Sequence, residues 1–323
     1  GVAPGSFLHF TECFGPVLAI MRADTLEDAL ALQNAPPFGL TGGLHSLDED
    51  EIEQWLDAVE VGNAYVNRHI TGAIVQRQPF GGWKDSVVGP GAKAGGPNYV
   101  AQLGTWVPDG NPTGHAEPEP RVSQALADYL DMIPSESDRA WLRAAVGSDA
   151  AAWATELGQE IDPSGLSVES NVLRHRPLPA MTVRAGRGAS PAELVRLLLA
   201  AELVGTRVSV SLDPDLSSTL GLSDVSPDES SPAGLRRLSE LVEAIESTAE
   251  LIDRARSRVV TGRVRVVGDE GPTLMRELAG EHVTVLAGPV LATGRRELLT
   301  MLREQAISRT RHRFGHLPSE PIS

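Results

Sequence analysis

Short apolar runs alternate with amphipathic ones along almost the whole chain, and the alternation is interrupted once. Residues 107–121 read VPDGNPTGHAEPEPR, rich in proline, glycine and acid and without apolar periodicity, which is linker composition. Alternation of period-2 and period-3.6 segments predicts an α/β fold with strands and helices taking turns. In the first part, FLHFTECFGPVLAIMRA predicts a strand, a turn at Gly15-Pro16 and a second strand. Thr25 is placed to cap a helix with Asp28 at its third position and Leu26, Ala29, Leu30 and Leu32 as its apolar stripe. GLTGGLHS leads into a strand, EDEIEQWLDAV into a helix with acids in its first turn, VGNAYVN into a strand, and ITGAIVQRQPFGG into a loop.

Residues 121–170 predict a helical connector of three helices, SQALADYLDMI, SDRAWLRAAVG and SDAAAWATELGQEI, with Gly147 ending the second. A further α/β region is expected from Asn171. AMTVRA (180–185) and TRVSVSL (206–212) are strands, and Ser190-Pro191-Ala192-Glu193 reads as a capping box opening the helix that Gly205 ends. A helix over 235–246 follows, then a capping box from Ser247 to Glu250 with the helix TAELIDRAR. After these come strand RVRVVG, helix TLMRELAG, strand HVTVLAG and a final helix GRRELLTMLREQAIS. Four strands alternating with helices imply a doubly wound, mostly parallel sheet.

The net charge of −15 argues against a nucleic-acid or anionic-membrane surface, because phosphate binding needs a basic footprint. The longest apolar run, LVRLLLAAELVG, is too short to insert in a membrane. GVAPGSFLHF lacks the pattern of a secretory signal, and the single cysteine, Cys13, fits a reducing compartment, so a cytoplasmic location is expected. Cys13 sits in an apolar strand pattern and reads as core rather than as a nucleophile. His312 and His316 are four apart among arginines and offer no metal site. The acids at 48–51 read as a solvated helix start.

The turn Ala185-Gly186-Arg187-Gly188-Ala189-Ser190 has two glycines before a helix, half of a dinucleotide fingerprint. The third glycine is missing, and Glu193 brings a negative charge to the place a pyrophosphate would take, so a simple turn is expected.

The stretch QPFGGWKDSVVGPGAKAGGPNY (78–99) is too irregular to be a regular element and too specific to be a spacer. With Glu12-Cys13-Phe14-Gly15-Pro16, it resembles the E-x-F-G-P and P-F-G-G motifs of the aldehyde dehydrogenase superfamily. The finer pattern is Val61-Gly62-Asn63, Tyr65-Val66-Asn67-Arg68, Thr71-Gly72-Ala73-Ile74-Val75, QPFGG and Lys93-Ala94-Gly95-Gly96-Pro97. It is similar to L-glutamate γ-semialdehyde (pyrroline-5-carboxylate) dehydrogenases, in particular the dehydrogenase half of bifunctional proline utilization A proteins. The resemblance covers roughly residues 1–106. ESNVLRHRPLP and REQAISRTRHRFG resemble the tail domain of the long forms.

The resemblance implies three parts: residues 1–106 as the C-terminal part of an aldehyde dehydrogenase catalytic domain, 107–170 as linker and helical connector, and 171–323 as a Rossmann-like domain. It implies NAD as cofactor, with Glu12 on the nicotinamide ribose and Phe14 against the nicotinamide ring; without it they read as a surface acid and a core aromatic. Thr71, Gly72 and Ala73 would anchor the α-carboxylate of a small aldehyde substrate, as the amides of a glycine turn can; otherwise they are a tight turn. Phe80 would line the aliphatic chain. NYVAQLGTWV is expected to be a strand and resembles the family's dimerisation flap.

The family's thiol nucleophile, general-base Glu and cofactor-binding domain precede E-x-F-G-P, so no catalytic residue is assigned here. The chain is expected to be an N-terminally truncated part of such an enzyme, inactive alone. In that reaction a thiolate attacks the aldehyde, hydride passes to NAD+ and water releases glutamate. FAD would belong to a proline dehydrogenase domain outside this sequence. Expected partners are a second copy of the chain or upstream dehydrogenase and proline dehydrogenase domains. After PFGG the family continues to Ser-Gly, whereas Ser86 is followed by Val87. Two other readings stand beside this one: a non-catalytic lid or assembly module for a separate dehydrogenase, and an independent nucleotide-binding second domain.

Overall fold

The computed structural model describes residues 1–108, 112, 114–222 and 230–312. Part of the expected linker, part of the stretch DPDLSSTLGLSDVSPDESSPAG (213–234), whose composition predicts a polar loop, and His316 with RFG of the tail resemblance lie outside the described residues. The protein is α/β throughout, and its contacts divide it into two compact units. The first comprises Gly1–Leu103, Glu160–Arg174 and Glu304–Ser323; the second comprises Gly104–Gln159 and His175–Arg303. Composition had suggested boundaries near 106 and 170. By contacts, two later segments group with the first unit.

In the first unit, α1 is a single turn, Phe7–Phe10. No strand forms over residues 11–23, where two were expected. Phe14, Val17, Leu18 and Ile20 are exposed, and with nothing among the described residues to cover them the alternating pattern has no sheet to join. Cys13 is half-buried rather than core. Helix α2 is Leu26–Asn34, and the Thr25 hydroxyl accepts from the Asp28 amide at 3.1 Å as its capping position predicts. Strands β1 (Phe38–Gly39) and β2 (Thr41–Leu44) precede α3 (Glu49–Ala58), whose cap Asp48 accepts the amides of Asp50 and Glu51. Strand β3 is Asn63–Val66, and β4 is Trp83–Lys84, antiparallel to β1.

Helices α4 (Pro120–Leu130) and α5 (Glu136–Ala152) follow, the latter running into a π turn at Trp153–Leu157. The last two connector helices are thus one. Gly147 does not stop α5, because it is buried within it against the His115 ring, and its carbonyl accepts the Ala116 amide. Strand β5, Glu169–Pro177, was not expected.

Strand β6 (Ala180–Ala185), α6 (Pro191–Val204), β7 (Arg207–Leu212), α7 (Pro214–Leu220) and α8 (Ala233–Leu241) build the next stretch. The chain then turns into β8 (Val242–Ile245) where the helix was expected to run on. At α6 half of the capping box forms: Glu193 is held by the Ser190 amide, while the Ser190 hydroxyl makes no cap bond. Helix α9 (Thr248–Arg256) has the full box between Ser247 and Glu250. Strand β9 (Gly262–Val267), α10 (Gly271–Glu277), β10 (Val283–Leu286) and α11 (Gly294–Glu297) lead to β11, Leu302–Thr310.

The expected final helix forms only in its first half, as α11 and a 3-10 turn at Leu298–Thr300, and β11 replaces the rest. Ala306–Arg309 pairs in parallel with Asn63–Val66, completing a four-stranded sheet of order β2-β3-β11-β5. All four residues of β3 are buried, as in a parallel sheet covered on both faces. Leu30, Ile52, Trp55, Val59, Val61 and Ile307 form the unit's core.

The second unit holds a five-stranded parallel sheet of order β10-β9-β6-β7-β8, the doubly wound topology expected, with one strand more than the four foreseen. Helix α6 is apolar almost all round and supplies Leu194, Leu197, Leu199 and Leu203 to the main core. Helix α11 meets α5 backbone to backbone. A Cβ on Gly294 would lie 2.5 Å from the Asp149 Cα, and the Gly294 amide donates to the Ser148 hydroxyl at 3.1 Å. Gly294→Ala is therefore expected to destabilise the unit by about 1–3 kcal/mol, the cost of overpacking, measured by urea unfolding; an unshifted midpoint would show that the helices can separate freely.

Candidate functional site

The first-unit motifs converge on one region. A Cβ on Gly62 would lie 2.0 Å from the Gly81 carbonyl oxygen, so VGN and QPFGG can touch only through glycine. Asn63 then bridges the two motifs: its Nδ2 donates to the Pro79 carbonyl at 2.9 Å and its Oδ1 accepts the Gly81 amide at 3.1 Å. Phe80, half-buried, pairs with Ala94 through two backbone hydrogen bonds of 2.9 Å.

Beneath this loop lies Lys93, 1% exposed. Its Nζ donates to Asn63 Oδ1 at 3.2 Å and to the Gly81 carbonyl. Burial pushes its pKa down to about 7, against the opposing pull of Glu304. Glu304, from β11, accepts the Lys93 amide at 2.8 Å and Asn98 Nδ2 at 2.7 Å, and its carbonyl accepts Trp83 Nε1 at 2.7 Å. One residue of the last strand thus ties three points of the 78–99 stretch.

The Thr71-Gly72-Ala73 loop has a second support. The three residues are exposed, Gly72 has φ +111°, and its carbonyl accepts the Tyr65 hydroxyl at 2.8 Å. Ile74 and Gln78 close the loop through backbone bonds of 3.2 and 2.7 Å. Below it, Glu169 of β5 accepts Arg68 Nη1 at 2.7 Å, Arg77 Nη2 at 2.8 Å and Gln78 Nε2 at 3.1 Å. Gln78 Nε2 also reaches Asn171 Oδ1 and Ser308 Oγ. Burial raises the Glu169 pKa, but hydrogen bonds from Asn171 and Arg77 and the charges of Arg68 and Arg77 outweigh it and hold the carboxyl below its usual range.

The structure therefore brings Thr71, Gly72, Ala73 and Phe80 onto one hydrogen-bonded frame. Glu12 and Phe14 lie outside that frame on an exposed segment, Phe14 at 97% exposure rather than in a core. The expected flap strand is a 3-10 turn, Val100–Leu103. Asn63, Arg68 and Lys93 sit inside the motifs, but a sequence gives no sign that they face the loops. Glu169 and Glu304 carried no signal at all.

In the second unit, the glycine turn after β6 lies at the topological switch point, where doubly wound folds place their ligands. Here Glu270, not Glu193, fills it. A Cβ on Gly186 would fall 2.4 Å from the Glu270 carboxylate, which accepts the Arg187 amide at 3.2 Å. Arg184, fully buried on β6, donates to Glu270 at 2.8 and 3.2 Å, to Ser211 and to the Glu246 carbonyl. An anion could reach the Arg187 amide only by displacing this carboxylate.

Among the described residues no helix is long and apolar enough to cross a membrane. Residues 1–104 match the model of the aldehyde dehydrogenase family. A 1-pyrroline-5-carboxylate dehydrogenase of Bacillus thuringiensis (strain Al Hakam) is 47% identical over 100 residues, 31% of this chain and 19% of that protein. The same enzyme of Bacillus anthracis (strain A0248) matches to the same extent. The structure of proline utilization A from Corynebacterium freiburgense aligns with 98% of this chain at TM-score 0.72 and 44% identity, covering 27% of that protein. The chain thus spans about a fifth of the curated relatives and about a quarter of the solved structure. Sequence and fold together make residues 1–104 similar to the aldehyde dehydrogenase family and the chain as a whole similar to part of a proline utilization A protein.

Proposed function

We propose that residues 1–106 form part of an NAD-dependent dehydrogenase site that oxidises L-glutamate γ-semialdehyde, the open form of pyrroline-5-carboxylate, to glutamate in proline catabolism. The observation that carries this is the exposed Thr71-Gly72-Ala73 loop, held with Phe80 on one rigid frame within a segment 47% identical to pyrroline-5-carboxylate dehydrogenases. The loop amides bind the substrate's α-carboxylate, and Phe80 packs against its methylene chain and keeps water from it. Residues 107–159 serve as linker and connector and 175–303 as a dehydrogenase-like domain with no catalytic part, while 160–174 and the strand from Glu304 group with the first unit.

Exposed Glu12 and Phe14 fit NAD, since a free carboxylate can accept from a ribose diol and a bare aromatic ring can cover nicotinamide. Bound NAD would accept the hydride. The thiolate is supplied by a residue other than Cys13. The protein works in the cytoplasm, as a homo-oligomer or joined to a proline dehydrogenase that holds FAD. A second reading, an assembly module for a separate dehydrogenase, draws support from Tyr99, Val100 and Leu103, which leave apolar surface uncovered.

The test uses the native polypeptide that carries this sequence. Its intact mass is measured first, and NADH formation from the semialdehyde is then followed. A mass well above that of this chain together with turnover supports the dehydrogenase. A mass equal to that of this chain without turnover favours the assembly module.

A further inference from the structure

We propose that Arg68 supplies the positive charge that selects a carboxylate at the Thr71-Gly72-Ala73 loop. This rests on the reading above and names the residue that confines its site to aldehydes carrying a carboxylate. Two guanidinium groups, Arg68 and Arg77, share the single carboxylate of Glu169, so the assembly under the loop keeps one net positive charge. Of the two guanidinium groups, Arg68 is the one that approaches Gly72. Arg68 spends Nη1 on Glu169 and on the Ser308 hydroxyl at 2.5 Å, while its Nη2 lies 3.7 Å from where a Cβ on Gly72 would stand.

The side chain is already ordered. It is 13% exposed and lies 5.5 Å from the Tyr65 ring centroid. A bound anion therefore need not immobilise a free arginine. Its Nε is buried without a hydrogen-bond partner, so the guanidinium has donor capacity to spare. The Tyr65 hydroxyl binds the Gly72 carbonyl, so the loop's acceptor is already engaged and opposes an incoming anion less. In this assignment Arg68 stands beside the loop and meets the substrate's carboxylate, not the aldehyde carbon, so it determines specificity rather than catalysis.

The test titrates the isotope-labelled chain with L-norvaline, which has the α-carboxylate, and with L-norvalinamide, which does not. The amide resonances of Gly72 and Ala73 are followed. Norvaline is expected to shift them and norvalinamide to leave them in place. Arg68→Met should weaken norvaline binding on the order of tenfold, from the Coulomb energy of one partly screened charge. Arg68→Lys should restore most of it, which a merely structural role would not produce. Arg68→Gln is the second charge-free variant should the methionine variant misfold. Equal norvaline affinity in wild type and both charge-free variants, equal shifts with norvalinamide, or no wild-type response would each overturn the assignment. NADH formation by the native polypeptide decides the dehydrogenase reading separately, so either idea can fail while the other stands.

Discussion

Arg184→Met is expected to destabilise the doubly wound unit by about 3–5 kcal/mol, the cost of leaving one partner of a buried ion pair uncompensated. Arg184 is 0% exposed and Glu270 7%, so water cannot replace the lost guanidinium. Asp213, 3.8 Å from Arg184, adds to the unbalanced negative charge. At the size of this unit the loss corresponds to a melting temperature lower by on the order of 10 °C. The double variant Arg184→Met/Glu270→Met should recover part of it, because removing both partners leaves no bare charge. Calorimetry of the three proteins settles the matter: a single variant within 1 kcal/mol of wild type would mean that Glu270 takes up a proton or finds other donors cheaply.

Lys93 should make stability depend on pH in the alkaline range. Its folded pKa, about 7, lies below the ordinary 10.5. Between those values the unfolded chain binds the proton and the folded chain does not, so folding gains stability as pH rises and loses it as pH falls towards 7. From pH 7 to 9.5 the gain is about 3 kcal/mol at 1.36 kcal/mol per pH unit. Lys93→Met should abolish this slope and be least harmful at low pH, where the wild type bears a buried ammonium. Urea unfolding at pH 7, 8 and 9.5 gives the answer. Parallel curves for wild type and variant would show that the amine stays charged on Glu304 and Asn63 throughout.

Much of the secondary structure was legible because its causes are local. Thr25, Asp48 and Ser247 cap their helices through groups two or three residues away, and Gly205 ends α6 in the left-handed conformation its sequence suggests. The failures share a long-range cause. Residues 294–308 have the apolar spacing of a helix, with Leu298, Leu299, Leu302 and Ala306, yet from Leu302 onward β3 and β5 offer the backbone bonds of a sheet. Their buried polar side chains, Glu304, Gln305 and Ser308, find partners only there. Val242–Ile245 likewise leaves the helical pattern for the free edge of β7.

The site divides the same way. Thr71, Gly72, Ala73 and Phe80 could be picked from motifs. Arg68 and Lys93 stood within those motifs without a role. Glu169 and Glu304 acquire theirs only when chain segments far apart in sequence meet.

The placement of β11 beside β3 also has a consequence for synthesis. Gln305 donates to the carbonyl of Val61 across 244 positions of sequence. A ribosome adding about 5–20 residues per second needs roughly 10–50 s to cover that distance. During that interval β3 has an unpaired edge and half of its sheet is missing, so the segment matching the dehydrogenase family emerges well before the strand that completes its sheet. A nascent chain of this kind has reason to be shielded while it is made, and the 78–99 stretch cannot take its final form before Glu304 has left the exit tunnel.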